Sequence, residues 1–247
     1  LVDSKMKEDS KTKNPRKYFC PKLAVFSDTL PHTRHALTDP DGLLAVGGSL
    51  DEEEVITNYK KGAFPWFTKD QPIIWWSPSK RLCLLPKNLR INRSLRKKIN
   101  NTKLLITINT DFEQVINKCS TVKDRSSNTW ITETIKRAYI RLHISGHAHS
   151  IECWNGNQMV GGLYGVSIGQ IFFGESMFSL QADASKLALF ALCTYDTLPR
   201  YHLIDCQIES AHLKNLGAVL FSRFEFEQKL AYYCQKMPEN VLGHCNI

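Results

Sequence analysis

Glu175, Asp205 and Gln207 are polar residues in stretches that are otherwise apolar, and they open the reading of this chain. The run Leu203-Ile204-Asp205-Cys206-Gln207 reads as part of a short buried strand over 202–207. Side chains alternate along a strand, so Asp205 and Gln207 are expected on one face, roughly 7 Å apart, with Ile204 and Cys206 on the other. Burying a carboxylate and an amide costs free energy unless both find partners. The pair is therefore either a satisfied structural network or a polar site. Glu175, set between Gly174 and Ser176 in a second strand, adds another carboxylate and favours a site. Cys206 has His212 near it in sequence and could serve as a thiol nucleophile, but strand alternation points it away from Asp205 and Gln207. A small buried hydrophobe is the expectation for it.

The elements that hold these residues follow from pattern. Residues 36–98 are punctuated by Pro, Gly and Trp, with one helix expected over 51–61: acids in its first turn, lysines in its last, Gly62 as the stop. Its aromatic residues, among them Tyr59, Trp66 and Trp75, are expected mostly to form the core of a small N-terminal unit. From residue 103 the pattern becomes regular. A strand is expected over 104–109, a short helix over 111–118, and a clearer helix over 132–145 with Ile135, Ala138, Tyr139 and Leu142 on one face. Strands follow at 149–154, 158–166 and 170–176, tightly connected. A helix runs from 184 to about 198, then come a strand at 202–207, a helical turn at 210–215 and a strand at 218–223. This is an α/β chain with a mixed sheet. The expected divisions are a flexible basic arm over 1–35, a small N-terminal domain over 36–100 with a basic segment, a larger domain over 101–235, and a tail over 236–247.

Charge and cysteines narrow the function classes. Residues 1–150 carry 26 Lys and Arg against 15 Asp and Glu, whereas 151–247 carry 6 against 9. Eight of the basic residues fall between Lys80 and Lys98 without an acid among them. From charge alone, a solvated face and a polyanion-binding face fit equally well. Eight cysteines at 20, 83, 119, 153, 193, 206, 234 and 245 form no Cys-x-x-Cys, so neither a zinc cluster nor a disulfide framework is suggested, and a reducing, cytoplasmic setting is expected. No apolar run approaches the roughly 18–20 residues of a membrane span, and the Lys-rich first 20 residues lack the apolar stretch of a secretory signal. His147 and His149 could share a strand face, but no third ligand stands at a recognisable spacing, so no metal is expected.

Several uncommon tracts carry a family resemblance: 41–50 (DGLLAVGGSL), 62–67 (GAFPWF) and 74–78 (IWWSP), followed by 94–97 (SLRK), 129–132 (TWIT), 146–152 (GHAHSIE) and 160–166 (VGGLYGV). With 174–179 (GESMFS), 184–186 (ASK) and 203–207 (LIDCQ) they run from about residue 37 to 223. In order and spacing the chain resembles the leucyl/phenylalanyl-tRNA–protein transferases. It departs at Asp183, where that family usually has Asn, and at Ser49, where it usually has an acid.

The resemblance implies a GNAT-like acyltransferase fold for the larger domain. It also implies transfer of Leu or Phe, less readily Met, from aminoacyl-tRNA to the α-amine of proteins that begin with Arg or Lys, marking them for N-end-rule degradation. Acetyl-CoA users have a glycine-rich turn before the helix that cradles pyrophosphate, but the corresponding turn at 180–184 contains no glycine. By resemblance, Gln207 positions the attacking amine and is oriented by Asp205, while Glu175 binds the cationic first residue of the acceptor. Leu163, Phe172, Met177 and Leu189 line the donor side-chain pocket, Trp130 stacks on the terminal adenosine, and Arg93, Arg96 and Lys97 meet the tRNA backbone. No cofactor is implied, and a monomer is expected. Two alternatives are a GNAT-like N-acyltransferase with another small acyl donor and a non-catalytic RNA-binding protein.

Overall fold

The computed structural model describes residues 22–23, 29–121, 129–195, 200–237 and 245–246. Most of the expected N-terminal arm (1–21 and 24–28) and most of the expected tail (238–244 and 247) lie outside the described residues, as do 122–128 and 196–199.

In chain order, β1 (Lys22–Leu23), β2 (Leu43–Gly47), α1 (Glu52–Lys60), β3 (Phe64–Pro65) and β4 (Ile74–Trp76) come first. Next are β5 (Lys80–Leu84), α2 (Arg93–Asn101), β6 (Leu105–Ile108), α3 (Phe112–Thr121) and α4 (Glu133–Ile144). Then follow β7 (Ala148–Asn155), β8 (Gln158–Ile168), β9 (Ile171–Ser179), α5 (Ala184–Thr194) and β10 (Leu203–Asp205). The last elements are α6 (Ala211–Asn215), β11 (Val219–Ser222), α7 (Arg223–Tyr233) and β12 (Cys245–Asn246).

The strands form two sheets, a small one ordered β1-β2-β4-β3 and a large one ordered β11-β5-β10-β9-β8-β7-β6-β12. In the large sheet β9 and β10 run parallel and the other pairs antiparallel, so the sheet is mixed. No helix among the described residues is long and apolar enough to cross a membrane.

Local chemistry explains the helix ends. Glu52, Glu53 and Glu54 open α1 and Lys60 closes it, matching the helix dipole. Asn92 caps α2 through the Leu95 N–H, and Thr132 caps α4 through that of Ile135. Ser222 and Glu225 form a reciprocal capping box that starts α7.

The large sheet buries both faces. Alternation along β8 and β9 sends Leu163 and Phe172 to one side and Tyr164 and Phe173 to the other. The first side packs against Leu187, Leu189 and Leu192 of α5. The second shares a single core with Tyr59, Phe64 and Trp75 of the small-sheet unit and Phe226 of α7.

Several expectations need correction. Lys80–Leu84, assigned by pattern to the small N-terminal domain, is an interior strand of the large sheet, paired with both β10 and β11. Of the expected arm, residues 29–35 are anchored by two buried side chains, with Thr29, His32, Arg34 and His35 exposed. Leu30 and Thr33 are buried, and Thr33 donates a hydrogen bond to Glu227. In the expected tail, β12 pairs with the edge of β6. The helices α2 and α7 were not foreseen: α2 is amphipathic but short and mostly polar, with only Leu95 fully buried, and α7 buries only Phe226 and Leu230 and shows no clear apolar stripe.

Candidate active site

β10 ends at Asp205, between β5 and β9. The Asp205 carboxylate is fully buried and accepts two hydrogen bonds from one guanidinium, Arg81 Nε at 2.8 Å and Nη2 at 2.7 Å. Arg81 is itself only 1% exposed. It lies 4.5 Å from the Phe64 ring centroid and 4.8 Å from that of Phe226, and it donates to the Gly62 carbonyl at 3.3 Å. Burial pushes the guanidinium down, and the Asp205 carboxylate outweighs it, holding Arg81 above its ordinary value. Arg81 therefore does not belong to the exposed basic field in which its sequence neighbours placed it.

Asp205 Oδ1 also accepts the main-chain N–H of Gln207 at 2.8 Å. At Gln207 the backbone turns left-handed (φ 62°), so the strand stops two residues short of its expected end. The expected common face for Asp205 and Gln207 is therefore lost. Asp205 fixes the Gln207 main chain, and the Gln207 amide goes elsewhere.

It goes to Glu175. In the β8–β9 ladder Tyr164 pairs with Ser176 and Gly165 with Gly174, so Glu175 is the extra residue of a β-bulge. A bulge re-aims a side chain that the ladder would otherwise constrain. Gly165 is required there: a Cβ would lie 2.2 Å from the Phe173 carbonyl oxygen and 2.5 Å from the Phe172 ring. Glu175 Oε1 accepts from Tyr59 Oη at 2.6 Å and Gln207 Nε2 at 2.9 Å, and Oε2 accepts from Tyr139 Oη at 3.0 Å. The two phenol oxygens are 2.6 Å apart.

Every one of these donors is neutral. Burial pushes Glu175 up to about 7, and the three hydrogen bonds hold it back from going higher. Burial also raises both tyrosines well above their ordinary value, with Glu175 adding to the effect. Lys186 pairs with Asp183 at 2.6 Å and not with Glu175.

Glu175, Asp205 and Gln207 line a cavity of about 940 Å³, and Tyr59, Tyr139 and Arg81 hold them from behind its wall. Leu163, Phe172, Met177 and Leu189 share it with Glu175, Asp205 and Gln207, and Trp130 and Trp66 also border it. Trp66 is 40% exposed, so it is a cavity wall and not the core ring that its neighbours Tyr59 and Trp75 are. Cys206 also faces the cavity, half-buried, with its thiol pushed up by burial. Arg93, Arg96 and Lys97 stand exposed on α2, away from these walls.

The two histidines do not converge. His147 meets Glu52 at 3.4 Å, while His149 is buried against Asn109 at 3.0 Å and is held down to about 4 chiefly by burial. Among the described residues no group of three ligand-type side chains could hold a metal.

Sequence reasoning missed Tyr59, Tyr139 and Arg81 as site residues. The signals were present but resembled ordinary core and surface: Tyr59 and Tyr139 sit at apolar helix positions, and Arg81 lies within a basic run.

The N-terminal domain of leucyl/phenylalanyl-tRNA protein transferase matches residues 48–79, and the leucyl/phenylalanyl-tRNA protein transferase family itself matches 83–231. The chain is 50% identical over 201 residues to a leucyl/phenylalanyl-tRNA–protein transferase of Hydrogenovibrio crunogenus, covering 81% of this chain and 78% of that one. It is 46% identical over 208 residues to that of Aromatoleum aromaticum, covering 84% and 88%. A Saccharophagus degradans relative of the same name is 46% identical over 208 residues, covering 84% and 86%. The first match ends just before β5 and the second begins within it, where the small sheet gives way to the large one, and together they place this chain in the leucyl/phenylalanyl-tRNA–protein transferase family.

Proposed function

We propose that this enzyme moves Leu or Phe, and less readily Met, from aminoacyl-tRNA onto the N-terminal amine of a protein beginning with Arg or Lys, with the cavity around Glu175 and Gln207 as its active site. The hydrogen bond from Gln207 Nε2 to Glu175 carries the reading. A carboxylate only accepts, so it fixes the amide with nitrogen toward Glu175 and leaves Oε1 to accept from an incoming amine. In the reaction a neutral amine attacks the ester carbonyl, a C–N bond forms, the ester C–O bond breaks, and the ribose hydroxyl leaves with a proton. Gln207 orients the amine for that attack, and Asp205, held by Arg81, fixes the Gln207 backbone. Glu175 supplies negative charge for the cationic first residue of the acceptor. Leu163, Phe172, Met177 and Leu189 offer an apolar wall for the donor side chain, which separates Leu from a polar residue easily and from Met weakly. Trp130 borders the same cavity and would stack on the terminal adenosine. The GNAT-like reading of the larger domain is supported by its mixed sheet, with the cavity beside the parallel pair β9 and β10.

The deciding experiment incubates the protein with radiolabelled Leu-tRNA and an Arg-starting peptide. Labelled peptide is expected. Transfer from a small thioester without RNA would favour the other acyltransferase reading, and RNA binding without any transfer would favour a non-catalytic role.

A further inference from the structure

Beside the main cavity lies a second of about 400 Å³, whose lining includes Arg90, Asn92, Lys186, His212 and Asn215. Lys186 and His212 border both cavities, so the two share a wall. The chemistry of the smaller one is cationic. Arg90 is exposed, and among the described residues its guanidinium has no hydrogen bond or ion pair. Its main chain is nevertheless pinned, the N–H donating to the Leu216 carbonyl at 2.8 Å. Lys186 is held at 2.6 Å by Asp183, but that carboxylate also serves Lys98 at 3.5 Å. One anion thus balances two ammonium groups, Lys186 at the cavity and Lys98 outside its lining, and Arg90 adds a second cation to the cavity itself.

The helix starting at this cavity supports the same conclusion. Asn92 caps α2, and Arg93 follows in the first turn with no acid there. Cations at a helix N-terminus oppose its dipole, a cost that an anion arriving at the site removes.

We propose that the second cavity binds a phosphodiester of the donor RNA, on the 5′ side of the terminal adenosine, through Arg90 and Lys186 with His212 as a hydrogen-bonding neighbour. The inference rests on the main cavity being the aminoacyl-ester site, whose wall at Lys186 and His212 is shared with the second cavity. It adds a contact separate from the exposed Arg93, Arg96 and Lys97, one that reads the acceptor end and not the body of the RNA. The phosphate charge is the feature recognised, since two cations with few fixed donors suit an anion better than a base edge.

The test compares three minimal donors in transfer to an Arg-starting peptide: leucyl-adenosine, the leucyl ester of the dinucleotide CpA, and the same dinucleotide with an uncharged methylphosphonate link. Wild-type protein should prefer the charged dinucleotide over the uncharged one by about tenfold in kcat/KM, the scale of one charge-assisted contact. In Arg90→Ala that preference should largely disappear. Lys186→Gln should reduce it as well, with unfolding midpoints confirming that both variants are folded. Equal use of charged and uncharged links by wild type would overturn the proposal, as would a preference that survives both substitutions. Failure of all three donors, leucyl-adenosine included, would instead remove the main-cavity reading, and this inference with it.

Discussion

Among the described residues Glu175 has neutral donors and no cation beside it, and burial pushes it up to about 7 from an ordinary 4.5. The folded-state value is the higher, so this group's contribution to stability is complete below pH 4.5 and is lost as pH rises through about 7. The loss across that window is about 3 kcal/mol. Glu175→Gln keeps the shape and removes the titration. Urea unfolding of the two proteins should therefore show the variant gaining on wild type by about that amount between the two pH values. A constant difference would mean that the folded-state carboxyl ionises at its ordinary value, as it would with a cation beside it. In transfer assays the same variant should raise the KM for Arg-starting peptides about tenfold to a hundredfold while tRNA affinity holds. An unchanged preference for Arg over a neutral first residue would remove Glu175 from the acceptor site. Arg81 poses the opposite case, a buried charge that is fully paired. Arg81→Met strands Asp205 and should cost about 3–5 kcal/mol in chemical denaturation. Adding Asp205→Asn should recover part of that loss, and no recovery would show that Arg81 stabilises through its ring contacts with Phe64 and Phe226 alone.

Two elements set the donor side of the site. Helix α5 packs onto β8 through Gly161, where a Cβ would stand 2.3 Å from that of Ala184 and 2.9 Å from its carbonyl carbon. Gly161→Ala must push α5 outward, and Leu189 moves with it. The expected result is about 1–3 kcal/mol of destabilisation together with a weaker preference for Leu over Met in competition assays. Unaltered selectivity in a destabilised protein would place the specificity wall on β8 and β9 instead. Helix α2 acts differently: its Leu95 anchors it, leaving Arg93, Arg96 and Lys97 in solvent. Replacing the three with Ala should weaken tRNA binding and reduce its log–log salt slope by about 2–3, one counterion term per lost phosphate contact. Transfer from leucyl-adenosine serves as the control, since equal losses with both donors would mark the cluster as structural.

At the scale of the molecule, one core and one site join the two sheets. Tyr59 comes from α1, beside the small sheet, yet it closes the hydrogen-bond set of Glu175 in the large one. Its ring lies 4.9 Å from that of Phe173, inside the shared core. Residues 80–247 expressed alone would expose that apolar surface and lose one of Glu175's three donors. We expect such a fragment to bind a hydrophobic dye strongly and to lack transfer activity. Recovery on adding residues 1–79 in trans would show that the interface forms between separate chains. A fragment with native-like cooperative unfolding would mean that the large sheet is self-sufficient.

The sequence by itself determined the mixed α/β class, the helices α1, α3 and α4, and the strands β7 to β9, because their periodicity and end signals are local properties of the chain. It also singled out Glu175, Asp205 and Gln207, since polar groups in apolar strands stand out without any coordinates. Tertiary structure alone decided how those three are wired. Strand alternation predicted a shared face for Asp205 and Gln207, but an arginine 124 residues away in sequence claimed the carboxylate, and the left-handed turn at Gln207 sent the amide to Glu175. Arg81 sits in a basic run and Tyr59 and Tyr139 at apolar helix positions, so nothing local separated them from surface charge and core rings. Their roles come from long-range contacts between β5 and β10, and between α1, α4 and the β-bulge of β9, and spacing along the chain does not encode such contacts.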